Sequence, residues 1–451
     1  MSSSQIQELC IRLVEMGKKL GAADADAIAV CDTSESISVR HGQVESVERE
    51  DGCGIGLRAF VEQKNGLAFA TASTSDLSDD GLKHLVEQVM TMARISAVDP
   101  DATPPSGGDH PENIDDTHAQ ADTWSREAAQ QAALACEQAA LAHSGDITNS
   151  EGAEAGFGTS EIAYASADGF AGGYTKSSAG MGVSVIAGTG AGMQRDYEFD
   201  RSHFPQELRD PKVLGQRAAE RACRKLGAES ITSRKATVVF EPRVAISLLG
   251  HLASAINGRS VMQQCSFLAE HSGQIIFPEW VNISDDPDHP EGLGNRPFDG
   301  EGTRTNARTI IEAGRLTGFL TDRYAAARLG IENTGHARRG LAGDISIGPN
   351  NLIWQPGRIC VEDMLAEIGD GLWVTEMMGF GINGVTGDYS RGASGFLIES
   401  GKITRPVQEI TIAGNLSDMF AGVAAAADDL TWFGTRAAPT LAISGMTVAG
   451  Q

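Results

Sequence analysis

Apolar residues recur at helical spacing from Ile6 through Leu9, Leu13 and Met16 to Leu20, and Gly21 follows as a stop signal. The chain is therefore predicted to open with an amphipathic helix. The period then changes to two. Alternating segments at Ile37-Val39, Val44-Val47 and Ile55-Leu57-Ala59-Val61 are separated by the turn dipeptides His41-Gly42 and Asp51-Gly52, with Asn65-Gly66 beyond. They predict a meander of roughly four strands. Leu82, Leu85, Val86, Val89, Met90 and Ala93 return to a period of 3.6, so a second helix is expected to pack on that sheet.

The stretch Asp99 to Thr123 holds Pro100, Pro104, Pro105 and Pro111 among acidic residues, and reads as a loop or linker. Trp124 to Ala142 is alanine-rich and helical by propensity, and Ile147 to Ile186 reads as glycine-punctuated strands. Helix followed by meander thus recurs as architecture, although no residue-level repeat joins the two segments. Lys212 to Leu226 predicts a further long helix, and Ala236-Thr237-Val238-Val239-Phe240 a buried strand that opens a second domain. Strand pieces around Arg308-Ile311, Leu316-Leu320, Leu372-Met377, Gly395-Ile398 and Glu409-Ile412 predict a large mixed or antiparallel sheet. The expected fold class is α+β. An N-terminal domain over residues 1–230 packs helices on meandering sheet, and a β-rich C-terminal domain spans 231–451.

Charge changes the functional picture. With 36 basic and 60 acidic side chains the net charge is −24, which argues against a phosphate-binding surface and against direct nucleic-acid binding. Seven cysteines form no C-x-x-C pair and are odd in number, so a reduced, cytoplasmic protein is expected. Neither a secretory signal nor a run of about 18 apolar residues is found, so no membrane association is expected.

Most signatures of chemistry fail in context. No two of the ten histidines stand four residues apart, as a zincin helix requires. His251 sits in a helical core segment, where packing is the simpler role than ligation. Gly379-Phe380-Gly381-Ile382-Asn383-Gly384 matches a dinucleotide fingerprint, but a turn follows it where the phosphate-facing helix should start. Asp285, Asp286, Asp288 and His289, with Asp299 and Glu301 downstream, concentrate groups able to bind a hard cation; a polar turn is the alternative. Gly387 to Gly395 is the densest polar and glycine-rich segment. It suits either a grip on a peptide backbone or a structural turn with a salt bridge.

In order along the chain, several stretches together carry a resemblance. They are Ser38-Val39-Arg40-His41-Gly42-Gln43-Val44-Glu45-Ser46-Val47-Glu48, Thr148-Asn149-Ser150-Glu151-Gly152, Asn295-Arg296-Pro297-Phe298-Asp299-Gly300-Glu301-Gly302, Gly379 to Gly395, Pro406-Val407, Thr411-Ile412-Ala413-Gly414-Asn415-Leu416 and Thr447-Val448-Ala449-Gly450. The chain resembles the PmbA/TldE branch of the TldD/PmbA family, described as peptide-maturation proteins and modulators of DNA gyrase. In the TldD branch the resemblance implies a zinc peptidase with HExxxH on a helix. Aligned on Gly258, those positions here hold Leu249, Gly250 and Ser254, which cannot hold and activate a zinc-bound water.

The resemblance implies a non-catalytic subunit, with no cofactor of its own and zinc in a TldD-type catalytic partner, acting on small unfolded peptides. Homodimerisation is the expectation for the chain alone. Asn383, Asp388, Ser390 and Arg391 are the expected lining of the shared cavity. Two alternatives stay open: an independent metal-dependent hydrolase using carboxylates from Asp285 to Glu301, and an interaction protein regulating DNA gyrase.

Overall fold

The computed structural model describes residues 3–112, 114 and 124–450; the predicted linker at Asp99–Thr123 falls partly outside them. The first part of the chain runs α1 (Ser3–Lys19), β1 (Asp24–Arg40), β2 (Gln43–Gln63), β3 (Gly66–Thr74) and α2 (Asp79–Ile95). The same order then repeats as α3 (Arg126–Leu141), β4 (Ile147–Ser166), β5 (Ala171–Ala187), β6 (Gln194–Ser202) and α4 (Pro211–Arg224). Both units lie in one six-stranded antiparallel sheet of order β3-β2-β1-β4-β5-β6, joined at the β1–β4 seam.

Helix starts follow local capping chemistry. Ser78 and Ser125 accept bonds from the amides of Gly81 and Ala128, and Asp210 caps α4 ahead of Pro211. The helices cover one face of the sheet in two patches. Ile6, Leu13, Leu85 and Val89 pack on Ala27, Leu57 and Ala59; Ala133, Cys136, Leu214 and Ala218 pack on Ile37, Val39, Ala155 and Val183.

The period of two puts Asp26, Ile28 and Arg58 on the opposite face, toward the second part of the chain. Arg58 stands opposite Asp26 in the β1–β2 register and bonds it at 2.6 Å, while reaching Glu301 at 3.2 Å. Arg339 adds a 2.7 Å ion pair to Asp26, and the Tyr164 hydroxyl donates to the same carboxylate at 2.9 Å. Tyr164, Ile28 and Phe298 form an apolar cluster beside this network. Gly56 must be glycine here, because a side chain would run into the Leu341 carbonyl.

One element departs from expectation. Asp51-Gly52 does not turn: it lies inside β2, opposite Thr33 and Asp32, so the segments at Val44-Val47 and Ile55-Val61 are one strand and three strands stand where about four were expected. A continuous partner strand outweighs the turn preference of two residues. Cys31 and Cys53 face each other in this ribbon with Cα atoms 4.0 Å apart and are joined in a disulfide, which corrects the all-reduced expectation for that pair. The remaining five cysteines are free.

Beyond Arg224 the chain runs β7 (Arg234–Phe240), α5 (Pro242–Ala255), α6 (Gly258–Met262), β8 (Ile283–Asp285), β9 (Arg308–Glu312), β10 (Arg315–Leu316) and α7 (Arg323–Leu329). It continues as β11 (Ala337–Arg338), β12 (Ser346–Ile347), β13 (Leu352–Trp354), α8 (Val361–Ile368), β14 (Gly371–Met378), β15 (Asp388–Glu399) and β16 (Lys402–Asn415). It ends in α9 (Leu416–Ala421), β17 (Val423–Ala426), β18 (Thr431–Phe433), β19 (Arg436–Ala438) and β20 (Leu441–Ala449). Two further six-stranded sheets result, ordered β16-β15-β14-β7-β20-β17 and β10-β9-β8-β13-β19-β18. The fold is α+β. Helix α5 lies within the main core of this part, together with residues from both sheets. Among the described residues no helix is long and apolar enough to cross a membrane.

Candidate functional site

Helix α5 is amphipathic in a way its sequence dictates. Val244, Ala245, Leu248, Leu249, Leu252 and Ala253 form a buried stripe in the core, and Ser247, Gly250, His251 and Ser254 fall outside it. Of the three positions aligned with HExxxH, Leu249 is fully buried in the core, Gly250 is half-buried, and Ser254 is exposed with its hydroxyl bonded to the Gly250 carbonyl at 3.0 Å.

Gly250 is the informative position. A glycine in a helix interior costs about 1 kcal/mol relative to alanine, and a reason is visible: a Cβ here would meet Arg436 Nη1 at 3.0 Å and its Cζ at 3.3 Å. The guanidinium of Arg436, carried by β19, lies against the helix at Gly250, the position that the sequence resemblance aligns with the motif's glutamate. Arg436 is half-buried, its Nε is buried without a hydrogen-bond partner, and burial pulls its pKa down.

Strand β15 supplies the other wall. Tyr389 is buried, with its ring edge-on to His251 at 5.9 Å between centroids, and its hydroxyl pKa is raised by burial. Arg391, two residues on and therefore on the same strand face, is half-buried and donates through Nε to the Gly379 carbonyl at 3.0 Å. Burial, Arg391 and Arg436 together push the His251 pKa down to about 4. The ring is neutral at pH 7, and its buried Nε2 has no hydrogen-bond partner.

The four expected cavity residues divide between two roles. Asn383 accepts from the amides of Val385 and Thr386 at 3.0 and 3.3 Å, and Asp388 accepts from the Thr386 hydroxyl at 2.6 Å. Both side chains shape the turn into β15. Ser390 is exposed, and its amide donates to the Gly381 carbonyl at 2.7 Å. Arg391 alone among the four acts on His251 of α5, by its charge. The segment read as a glycine-rich turn is thus a short turn followed at once by strand, with no helix after Gly384 to receive a dinucleotide.

A single imidazole beside a guanidinium, a leucine and a serine does not fit a zinc ion, which needs several imidazole, thiolate or carboxylate donors and repels a neighbouring cation. The downstream carboxylates are committed elsewhere. Asp285 accepts from the Asn350 amide and side chain at 2.7 Å each and pairs with His336 at 3.0 Å. Asp299 accepts the amides of Glu301, Thr303 and Ala337, and Glu301 binds Arg58 and the Arg323 amide. Among the described residues no group of three His, Cys, Asp or Glu side chains is placed to hold a metal. Arg436 and His251 were not singled out as a pair by the sequence; the interior glycine at 250 is the one local signal pointing to them.

Comparisons place this geometry among known proteins. Models of the PmbA/TldA metallopeptidase match in order: domain 1 over residues 25–93, the central domain over 110–226 and the C-terminal domain over 233–450. Metalloprotease PmbA of Escherichia coli O157:H7 is 35% identical over 436 residues, which cover 96% of this chain and 93% of that protein. A PmbA homologue of Haemophilus influenzae is 34% identical over 97% of this chain and 94% of its own. The crystal structure of a proposed modulator of DNA gyrase from Bacteroides thetaiotaomicron superposes with a TM-score of 0.89 at 25% identity, covering 98% of each chain. TldE from Thermococcus kodakarensis gives 0.87 at 22% identity over 98% of this chain and all of the other, a likeness of fold.

Proposed function

Because this chain belongs to the PmbA/TldD metallopeptidase family, we propose that it is the metal-free accessory subunit of a two-subunit zinc peptidase, acting on small unfolded peptides beside a TldD-type catalytic partner. The observation that carries the reading is Arg436 packed on Gly250. A cation at the position aligned with the motif's activating carboxylate supports a chain that draws on another subunit's metal for hydrolysis. What this chain contributes is a wall: it admits an extended peptide and orients it, with Arg391 and Arg436 as the polar groups facing the opening and Asn383, Asp388 and Ser390 shaping the adjacent turn and strand. An extended peptide can also add to a free strand edge through its backbone.

The test is hydrolysis of an unstructured peptide by this chain, by a TldD-type partner and by the mixture, each with and without a zinc chelator. Activity confined to the mixture and abolished by the chelator is expected. Chelator-sensitive turnover by this chain alone sinks the proposal.

A further inference from the structure

We infer that Arg436, with Arg391 and His251 around Gly250, forms an anion-recognition site that binds a carboxylate of an extended peptide. The inference rests on the accessory-subunit reading only in taking the ligand to be a peptide.

Acidic side chains outnumber basic ones by 60 to 36, so a buried or half-buried arginine here has carboxylates in ample supply. Several use them. Arg58 is paired with Asp26 and Glu301, Arg221 with Glu241 and Asp196, Arg243 with Asp196 and Glu198, and Arg259 with Asp322. Arg296, Arg304, Arg323 and Arg338 bond carbonyl or amide oxygens instead, whereas among the described residues no group accepts a hydrogen bond from the Arg436 side chain, and desolvation alone acts on its charge. Leaving a partly buried guanidinium unpaired is costly, and a planar fork of N–H donors matches a carboxylate bidentately.

The surroundings keep the site cationic. Arg391 adds a second positive charge near His251; it donates through Nε to the Gly379 carbonyl and also interacts with the Tyr389 hydroxyl, neither of which cancels its charge. His251 is neutral and brings an unpartnered ring nitrogen without cancelling either charge. Gly250 leaves the guanidinium uncovered by any side chain of its own, and exposed Ser254 one turn later marks the open end of that helix face. Asp388, the nearest acid along β15, is turned away into its bond with Thr386.

Fluorescence anisotropy of the purified full chain tests this with one unstructured, otherwise uncharged, labelled peptide in three forms. These carry a free terminal carboxylate, a terminal amide, or a terminal amide with a single internal glutamate. At least one carboxylate form is expected to bind roughly tenfold or more tighter than the plain amide, and which one does so identifies the source of the carboxylate. The preference should vanish in Arg436→Ala and in Gly250→Glu, and shrink at high salt. Gly250→Glu keeps the arginine but sets a carboxylate against it, so it carries the test if Arg436→Ala does not fold. Equal binding of all three forms, no binding of any, or an unchanged preference in a folded variant overturns the inference. Binding is read on this chain without a partner, so failure here is distinguishable from failure of the mixture to hydrolyse peptide.

Discussion

Replacing Arg58 with alanine is expected to lower the unfolding free energy by about 3–5 kcal/mol at pH 7, the range for removing one partner from a buried ion network. Its side chain is 8% exposed and those of Asp26 and Glu301 are 0% and 2% exposed, so solvent does not compensate for the loss. The pH dependence follows from the carboxylates left behind. Burial by itself would raise the Asp26 pKa, but Arg339 and Arg58 overcome it and hold the group at about 2. A folded pKa below the ordinary value of about 3.9 means that Asp26 contributes stability in full above that value, and loses it as pH falls toward 2. Without Arg58, burial gains ground on both Asp26 and Glu301, whose pKa is already raised by burial. Both then take up protons at higher pH in the folded state. The deficit of Arg58→Ala against the unsubstituted protein should therefore narrow between pH 7 and pH 4. Urea denaturation followed by tryptophan fluorescence measures it. A loss below about 1 kcal/mol, or a deficit that widens on acidification, would show that the network does not hold the two parts together.

Trp354→Ala should cost a comparable amount, about 3–5 kcal/mol for a large aromatic removed from a packed core, but with a different distribution. Trp354 is fully buried on β13, edge-on to Phe277 at 5.3 Å between centroids, and Phe277 stacks on Phe420 at 4.6 Å. Its strand pairs with β19 at Leu352 and Arg436, so the cavity loosens the strand that carries the guanidinium. Hydrogen exchange should accelerate in α5, β13 and β19 while β1 to β6 keep their protection. Uniform acceleration across all three large sheets would contradict this local reading.

Much of the fold is written in short-range periodicity. The stripes of α1, α2 and α4 and the alternation of the early strands depend on neighbouring residues alone, so they can be read without the structure. Long pairing is what the sequence hides. Asp51-Gly52 has the preferences of a turn and becomes strand because an entire partner lies opposite. The same misreading conceals Cys31 and Cys53, since only a ribbon running on past residue 51 brings them into register. At the site, Leu249, Gly250 and Ser254 can be read from the sequence as positions without zinc-ligating side chains. What replaces such ligands cannot, because Arg436 is brought to Gly250 by the pairing of β13, β18 and β19, far from α5 in sequence. Asn383 and Asp388 show the converse: polar residues in a glycine-rich stretch look like ligand groups, whereas their oxygens are consumed within the turn.

The unequal strand lengths of the first sheet have a consequence for solubility. β3 pairs with β2 only over Ile55 to Gln63, which leaves the outer edge of β2 from Gln43 to Gly54 without a neighbour in that ladder. An open strand edge of that length is a template for pairing with another chain. The sequence along it, Gln43-Val44-Glu45-Ser46-Val47-Glu48-Arg49-Glu50-Asp51, interrupts two exposed valines with a run of ionised side chains, most of them acidic. A second copy approaching this edge in register would set like charges opposite one another. Part of the surplus of negative charge thus acts as a guard against aggregation, and neutralising those acids would expose the ribbon to strand-by-strand association.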